Sequence, residues 1–222
     1  MSAHQIGALF LILLGYLSGS VSFAYLAGRL RKIDLRQYGG GKLSGSNVYH
    51  QVGLGGMVLV GILDIAKAAA PSWLCLKLGY ALWVTVLAGL AAMLGHNWSL
   101  YLGLQGGRGI GAAVGALLVV FPWGALWVLV SVLAGRLAPH AAAVPALAGF
   151  VGLPLFAIGS RQPEATVWGC WGMLALVVLK RLEGNRRPIA GDTWRVLLRR
   201  LTLDRDIADF ETWIGQRPGA EV

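Results

Sequence analysis

The sequence predicts an all-α polytopic membrane protein with about seven transmembrane helices, some of them short. Three observations carry this expectation. The 222-residue chain is 56% hydrophobic and only 13% charged, with a mean hydropathy of +0.65, whereas soluble domains carry roughly 25% charged residues. Apolar runs recur at the length needed to cross about 30 Å of hydrocarbon, roughly 20 residues each. The basic residues are concentrated between those runs, at Arg29–Lys42 and Lys180–Arg205, as the positive-inside rule expects of cytoplasmic segments.

The first run, Ile6–Leu30, has no basic stretch before it and no small-residue cleavage site, and it leads directly into a glycine-rich loop. It reads as a retained first helix. Further apolar segments lie near residues 53–76, 80–103, 110–135, 140–159 and 164–179, separated by glycine, proline or charge. Met1–Gln5 contains no Lys or Arg while the C-terminal tail is strongly basic, which puts the two ends on opposite sides and requires an odd number of spans. Phe121-Pro122-Trp123 supplies the extra one by dividing the fourth stretch at Pro122. With the N-terminus outside, the loops 29–52, 96–109 and 136–139 and the tail from 180 face the cytoplasm, with Arg161 as the exception.

Residues 1–180 therefore form a single transmembrane domain, and 181–222 a basic cytoplasmic tail. In the tail, Trp194, Leu197, Leu198 and Leu201 share one helical face and Arg195, Arg199 and Arg200 another, with Asp192 as N-cap. This pattern suits an interfacial helix with its arginines toward anionic lipid; a solvated helix packed on the loops has the same pattern.

The formal net charge of +9 does not indicate nucleic acid, because the cations flank membrane segments and do not line one face. Cys75 and Cys170 both sit within apolar stretches and predict no disulfide. The four histidines are dispersed and no carboxylates cluster with them, so no metal site is expected.

Two loops carry the candidate chemistry. The first reads Tyr38-Gly39-Gly40-Gly41-Lys42-Leu43-Ser44-Gly45-Ser46-Asn47 and precedes a helix. Glycines let backbone N–H groups converge on an oxyanion, and a following helix N-terminus adds positive potential, so Gly39, Gly40, Gly41 and Lys42 are candidate phosphate ligands. The spacing is not that of a Walker loop. The second loop joins Gly95-His96-Asn97-Trp98 to Gln105-Gly106-Gly107-Arg108-Gly109 and repeats the arrangement, with Arg108 as the cation among Gly106, Gly107 and Gly109. Asn47, His96 and Ser46 are the candidate catalytic residues, positioned to place the reacting groups, with His96 as an acid, a base or a hydrogen-bond donor. Asp64 and Lys67, three residues apart in an apolar run, can neutralise one another and wall the cavity.

In order and spacing these residues resemble the bacterial acyl-phosphate-dependent glycerol-3-phosphate acyltransferase family. The resemblance spans most of the first half of the chain: Gly15-Tyr16, Gly19-Ser20, Phe23-Ala24-Tyr25-Leu26, Asp34-Leu35-Arg36, Tyr38-Gly39, Asn47-Val48, Gly53, Leu63-Asp64-Ile65 with Lys67, Leu94-Gly95-His96-Asn97 and Gly106-Gly107-Arg108-Gly109. It implies a seven-span enzyme of the bacterial inner membrane. The implied reaction moves an acyl group from acyl phosphate to the 1-hydroxyl of glycerol 3-phosphate, giving lysophosphatidic acid, with no metal, coenzyme A or acyl carrier protein, no other cofactor and no obligate protein partner. The chain departs from the family pattern where that pattern has serine at Gly40, asparagine at Lys42, threonine at Ser46, arginine at His50, lysine at Gln105 and at Arg108, and threonine near Ala112. The family's C-terminal His-Arg-Glu-Asn has no clear counterpart, although Arg181, Glu183, Asn185, Arg186 and Arg187 fall in that region. A catalytically reduced paralogue that binds acyl phosphate or phospholipid as a regulator or scaffold is the alternative reading. A small transporter is a further one, although the sequence lacks the paired halves expected of it.

Overall fold

The computed structural model describes residues 2–38, 41–137, 141–186, 189 and 191–214. Its regular structure is helical throughout, with no strand among the described residues: α1 Ala3–Ser20, α2 Phe23–Leu30, α3 Gly45–Val52, α4 Leu54–Lys77, α5 Leu82–Asn97, α6 Ile110–Val120, α7 Pro122–Ala134, α8 Ala143–Gly159, α9 Glu164–Glu183, α10 Thr193–Leu203 and α11 Phe210–Ile214. Three stretches are long and apolar enough to cross a membrane, namely Ala3–Leu30, Leu54–Lys77 and Glu164–Glu183. At 1.5 Å per residue, 24-residue α4 is about 36 Å long, whereas 11-residue α6 is about 16 Å.

Local chemistry sets the boundaries. Ser2 and Gln5 form a reciprocal capping box that starts α1. The first apolar run breaks at Val21, and Ser22 caps α2 by accepting from the Tyr25 amide. The segment expected over 80–103 stops helically at Asn97, because the chain then turns through Leu100–Leu102 into the second glycine loop. The 110–135 stretch divides where Phe121 leaves helical geometry and Pro122, which has no N–H to contribute, starts α7.

Small residues bring several helices of the bundle into close contact. A Cβ at Gly15 or Gly19 of α1 would collide with the carbonyls of Ala88 and Ala92 of α5, so the two backbones touch along a small-residue seam. The main core adds Ala112, Ala113 and Ala116 of α6 to Phe121, Phe150 of α8 and Met173 of α9. Many other large apolar side chains point outward: Phe10, Leu59, Leu133 and Leu155 are all well exposed, as expected of lipid-facing surfaces. Cys75 and Cys170 are buried and unpaired.

The two ends of the bundle are chemically different. At one, His4 stacks on Tyr80 beside the start of α1. At the other, the end of α1, both glycine loops, the end of α9 and the tail come together, through Ser99 Oγ donating to the Ser20 carbonyl and Arg108 Nη1 donating to the Lys180 carbonyl.

In the tail, Asp192 caps α10, accepting from the Trp194 and Arg195 amides. The face assignment read from the sequence is corrected. Val196 and Arg200 are the buried residues, and Arg200 forms a bidentate pair with Asp206 at 2.7 and 3.0 Å, so it turns toward the protein, away from the exposed Arg195. Trp194 and Leu198 are exposed on α10.

Candidate active site

The site is assembled from the two glycine loops, the C-terminal end of α9 and the segment after α10. Gly39 and Gly40 lie outside the described residues. From Gly41 onward the first loop is shaped by Asn47, which is fully buried at the start of α3. Its Nδ2 lies 3.0, 3.2 and 2.8 Å from the carbonyls of Leu35, Tyr38 and Lys42, so the amide braces the loop backbone. Its Oδ1 has no hydrogen-bond partner among the described residues. Ser46 is exposed, and its hydroxyl meets that of Ser44 at 3.1 Å.

The second loop folds back on the end of α5. The Gly107 amide donates to the His96 carbonyl at 3.0 Å, and the Leu43 amide of the first loop reaches the Gly106 carbonyl at 3.4 Å. Close approach explains Gly107, since a Cβ there would strike His96 Nε2 and lie 2.6 Å from the Leu43 carbonyl oxygen. Gly109 needs its missing Cβ for a different reason, with φ at +75° as it leads into α6. Asn185, just past α9, ties the loops together: its Nδ2 lies 3.1 Å from the Gly41 carbonyl and 3.3 Å from that of Gly106.

Lys42 and Arg108 are both almost completely buried and converge on one carboxylate. Asp204, which ends α10 at a φ of +57°, places Oδ2 2.9 Å from Lys42 Nζ and Oδ1 2.8 Å from Arg108 Nε. The Trp213 ring of α11 lies 4.7 Å from Lys42 Nζ. Burial pushes the Lys42 ammonium down to about 7, against the opposing pull of Asp204. Burial alone would raise the Asp204 carboxyl, but Arg108, Lys42 and Arg181 outweigh it and hold the group at about 2. Arg181 itself donates to the Leu201 and Ala143 carbonyls at 2.8 and 2.9 Å.

Deeper in the bundle is a second polar cluster. Asp64 and Lys67 pair at 2.8 Å, and Lys67 Nζ also donates to the Val21 carbonyl at 2.6 Å, where α1 ends. His96 Nδ1 is 3.5 Å from the same Asp64 carboxylate. The ring is therefore held between α4 and the backbone of Gly107. A cavity of about 250 Å³ lined by Ser20, Ser22, Tyr25 and Tyr101 opens beside this region; Ser20 and Tyr25 belong to the motifs that carry the family resemblance, but none of the predicted catalytic or phosphate-binding residues lines it.

The structure thus brings Lys42, Arg108 and the Gly106–Gly109 turn to one place, puts Asn47 and His96 behind the loops as braces, and leaves Ser46 at the surface. Sequence reasoning missed Asp204 and Trp213 altogether. The one available signal was an acidic residue interrupting a basic tail, in Arg199-Arg200-Leu201-Thr202-Leu203-Asp204-Arg205. Among the described residues no group of three or more His, Cys, Asp or Glu side chains comes together.

A family profile described as Glycerol-3-phosphate acyltransferase matches residues 9–191. The protein named Glycerol-3-phosphate acyltransferase 5 of Dehalococcoides mccartyi is 35% identical over 214 residues, covering 91% of this chain and 90% of that relative. The Glycerol-3-phosphate acyltransferase of a Synechococcus species is 37% identical over 197 residues, covering 86% of this chain and 96% of its own. The crystal structure of PlsY (YgiH), an integral membrane glycerol 3-phosphate acyltransferase, in its glycerol 3-phosphate form superimposes with a TM-score of 0.74 at 29% identity, covering 82% of this chain and 91% of that one. The profile match over most of the chain, two relatives above 30% identity and the shared fold converge on one statement: the chain belongs to the glycerol-3-phosphate acyltransferase family.

Proposed function

We propose that this protein transfers an acyl group from acyl phosphate to the 1-hydroxyl of glycerol 3-phosphate, forming lysophosphatidic acid for phospholipid synthesis. The observation that carries the reading is the convergence of Lys42 and Arg108, from two different glycine loops, on a single anion at 2.9 and 2.8 Å. Both substrates carry phosphate, and two buried cations at that spacing suit one. The relatives named above are all called acyltransferases, which sets aside the transporter and scaffold readings.

The chemistry asks little of the protein beyond alignment and charge stabilisation. The acceptor hydroxyl attacks the carbonyl carbon of the mixed anhydride, a new ester C–O bond forms, and the bond from carbonyl to phosphate oxygen breaks. The hydroxyl proton leaves with the released phosphate. Lys42 and Arg108 hold phosphate oxygens, and the amides of the Gly106–Gly109 turn assist them, apart from that of Gly107, which is taken by the His96 carbonyl. Asn47 and His96 are assigned as positioning residues. One fixes the first loop by its hydrogen bonds to three carbonyls, the other sets the second loop through Gly107. Asp64 and Lys67 wall the inner side.

In the bilayer, α1, α4, α5, α6, α7, α8 and α9 form seven spans of the bacterial inner membrane, with the N-terminus outside and the loop-bearing end in the cytoplasm. This reading is supported by the basic residues gathered at that end, where Lys42, Arg108, Arg181 and Arg200 all lie. The tail helix α10 lies at the inner interface with Trp194 and Leu198 toward headgroups. Incubating purified protein with palmitoyl phosphate and glycerol 3-phosphate tests the reaction. Lysophosphatidic acid formed well above an Arg108→Ala control supports it, and its absence contradicts it.

A further inference from the structure

The two cations assigned to phosphate are already engaged by the chain's own tail. Asp204 gives one carboxylate oxygen to each of them and keeps only a small part of its side chain exposed. Its backbone is left-handed, a conformation that an Asp adopts more readily than most residues but still at some expense. The segment that follows is built to hold this pose. Arg200 pairs with Asp206, and Arg205 donates to the carbonyls of Ile207 and Ala208 at 3.1 and 2.8 Å and stacks on Phe210. Phe210 meets His50 of α3, and Trp213 covers Lys42.

All of these tail groups follow residue 191, where the family match ends. The region matched by the family profile supplies the cations, and the tail beyond it supplies the anion. The charges at the seat are also uneven, since Lys42, Arg108 and Arg181 all act on the one Asp204 carboxylate. A phosphate dianion offers the same oxygen geometry with more charge and more acceptors.

We propose that Asp204 is a tethered stand-in for substrate phosphate, and that Asp204–Trp213 forms a latch which a phosphate-bearing substrate must displace to reach Lys42 and Arg108. The proposal rests on the assignment of those two residues as the phosphate seat. While the latch is closed, the apparent affinity for substrate falls by the fraction of molecules that are open, so removing the carboxylate's charge shifts KM and leaves the chemical step alone.

The test uses full-length protein and two readouts. In the first, Asp204→Asn is compared with wild type in initial rates against glycerol 3-phosphate and against palmitoyl phosphate. KM for the substrate that uses the seat is expected to fall about threefold or more with kcat within about twofold. A raised KM, or a lost kcat with no gain in affinity, marks Asp204 as a fixed strut and overturns the proposal. Trp213→Ala, which leaves the carboxylate but loosens the cover over Lys42, is expected to shift KM in the same direction and serves if Asp204→Asn does not fold.

The second readout needs no turnover. Hydrogen exchange of amides 205–213 in the wild type is followed with glycerol 3-phosphate, palmitoyl phosphate or inorganic phosphate added in turn. Faster exchange with glycerol 3-phosphate alone assigns the seat to the acceptor. Faster exchange with palmitoyl phosphate alone assigns it to the donor, and with all three to any phosphate. Unchanged exchange with all three overturns the latch whether or not lysophosphatidic acid is formed, whereas an inactive enzyme with responsive exchange overturns the reaction and keeps the latch.

Discussion

At the scale of single residues, Lys42 and Arg108 and their burial set what the site can hold. Arg108 is expected to be the less replaceable. Charge-assisted contacts contribute about 1.5–3 kcal/mol each, so Arg108→Ala should lower kcat/KM by roughly ten- to 150-fold, while Arg108→Lys, which keeps the charge but not the fork, should retain a measurable part. Lys42 makes a prediction about pH. Burial holds its ammonium at about 7, with Asp204, Arg108 and Arg181 as the charged groups facing it. A lysine below its pKa is charged and binds phosphate, and above it is neutral. KM for the phosphate substrate should therefore rise as pH climbs from about 6 to about 8.5, and Lys42→Arg, charged throughout, should flatten that rise. A steep rise that survives in Lys42→Arg assigns the titration to another group. Asn47 and Ser46 illustrate what the residues alone could convey. Both stand out in the first loop as hydrogen-bonding groups beside glycine, but burial, which the sequence does not record, makes Asn47 a brace and leaves Ser46 at the surface.

At the scale of elements, α4 and the glycine loops separate structural from functional polarity. Asp64 and Lys67 neutralise each other inside an apolar helix, so removing one partner should be far worse than removing both. Asp64→Leu is expected to destabilise by about 3–5 kcal/mol, and Asp64→Leu/Lys67→Met to regain more than half of that, read from thermal unfolding in detergent; strictly additive losses contradict the pairing. Glycines in the same region are expected to differ sharply. Gly107→Ala forces the second loop off His96 and should cost both stability and turnover, whereas Gly61→Ala on α4, where an added Cβ meets nothing within 4 Å, should be neutral or stabilising by up to about 1 kcal/mol. The spacing of Asp64 and Lys67 and the turn at Pro122 were readable because both are local: three residues on a helix, and one missing N–H. The break after Ser20 was not readable, because an apolar run continues through it and only the Ser22 cap and the contacts of the next turn decide where the helix stops. The inward face of α10 was misread for a related reason: Arg200 is drawn in by Asp206, six residues beyond it on a separate turn, and a helical wheel carries no information about that partner.

At the scale of the whole molecule, apolar length and the placement of charge were enough to indicate a helical membrane fold, since both are properties of the chain summed over tens of residues. The meeting of residues far apart in sequence, Lys42, Arg108, Asn185 and Asp204, was half legible: the two cations stood in recognisable loops, while Asn185 and Asp204 acquire their roles only when α9 and the tail return to those loops. The orientation of the bundle is checked by cysteine labelling. Ser2→Cys should react with a membrane-impermeant thiol reagent in intact cells and Thr212→Cys only after lysis, with Cys75 and Cys170 silent because they are buried; the reverse pattern would place the loops outside and contradict the topology. The most direct measurement of the central claim remains the reaction itself. Purified protein supplied with palmitoyl phosphate and glycerol 3-phosphate, and with no added metal or coenzyme A, should form lysophosphatidic acid at a rate that falls by at least about tenfold in Arg108→Ala. Product at the level of that variant, or none, would contradict the account.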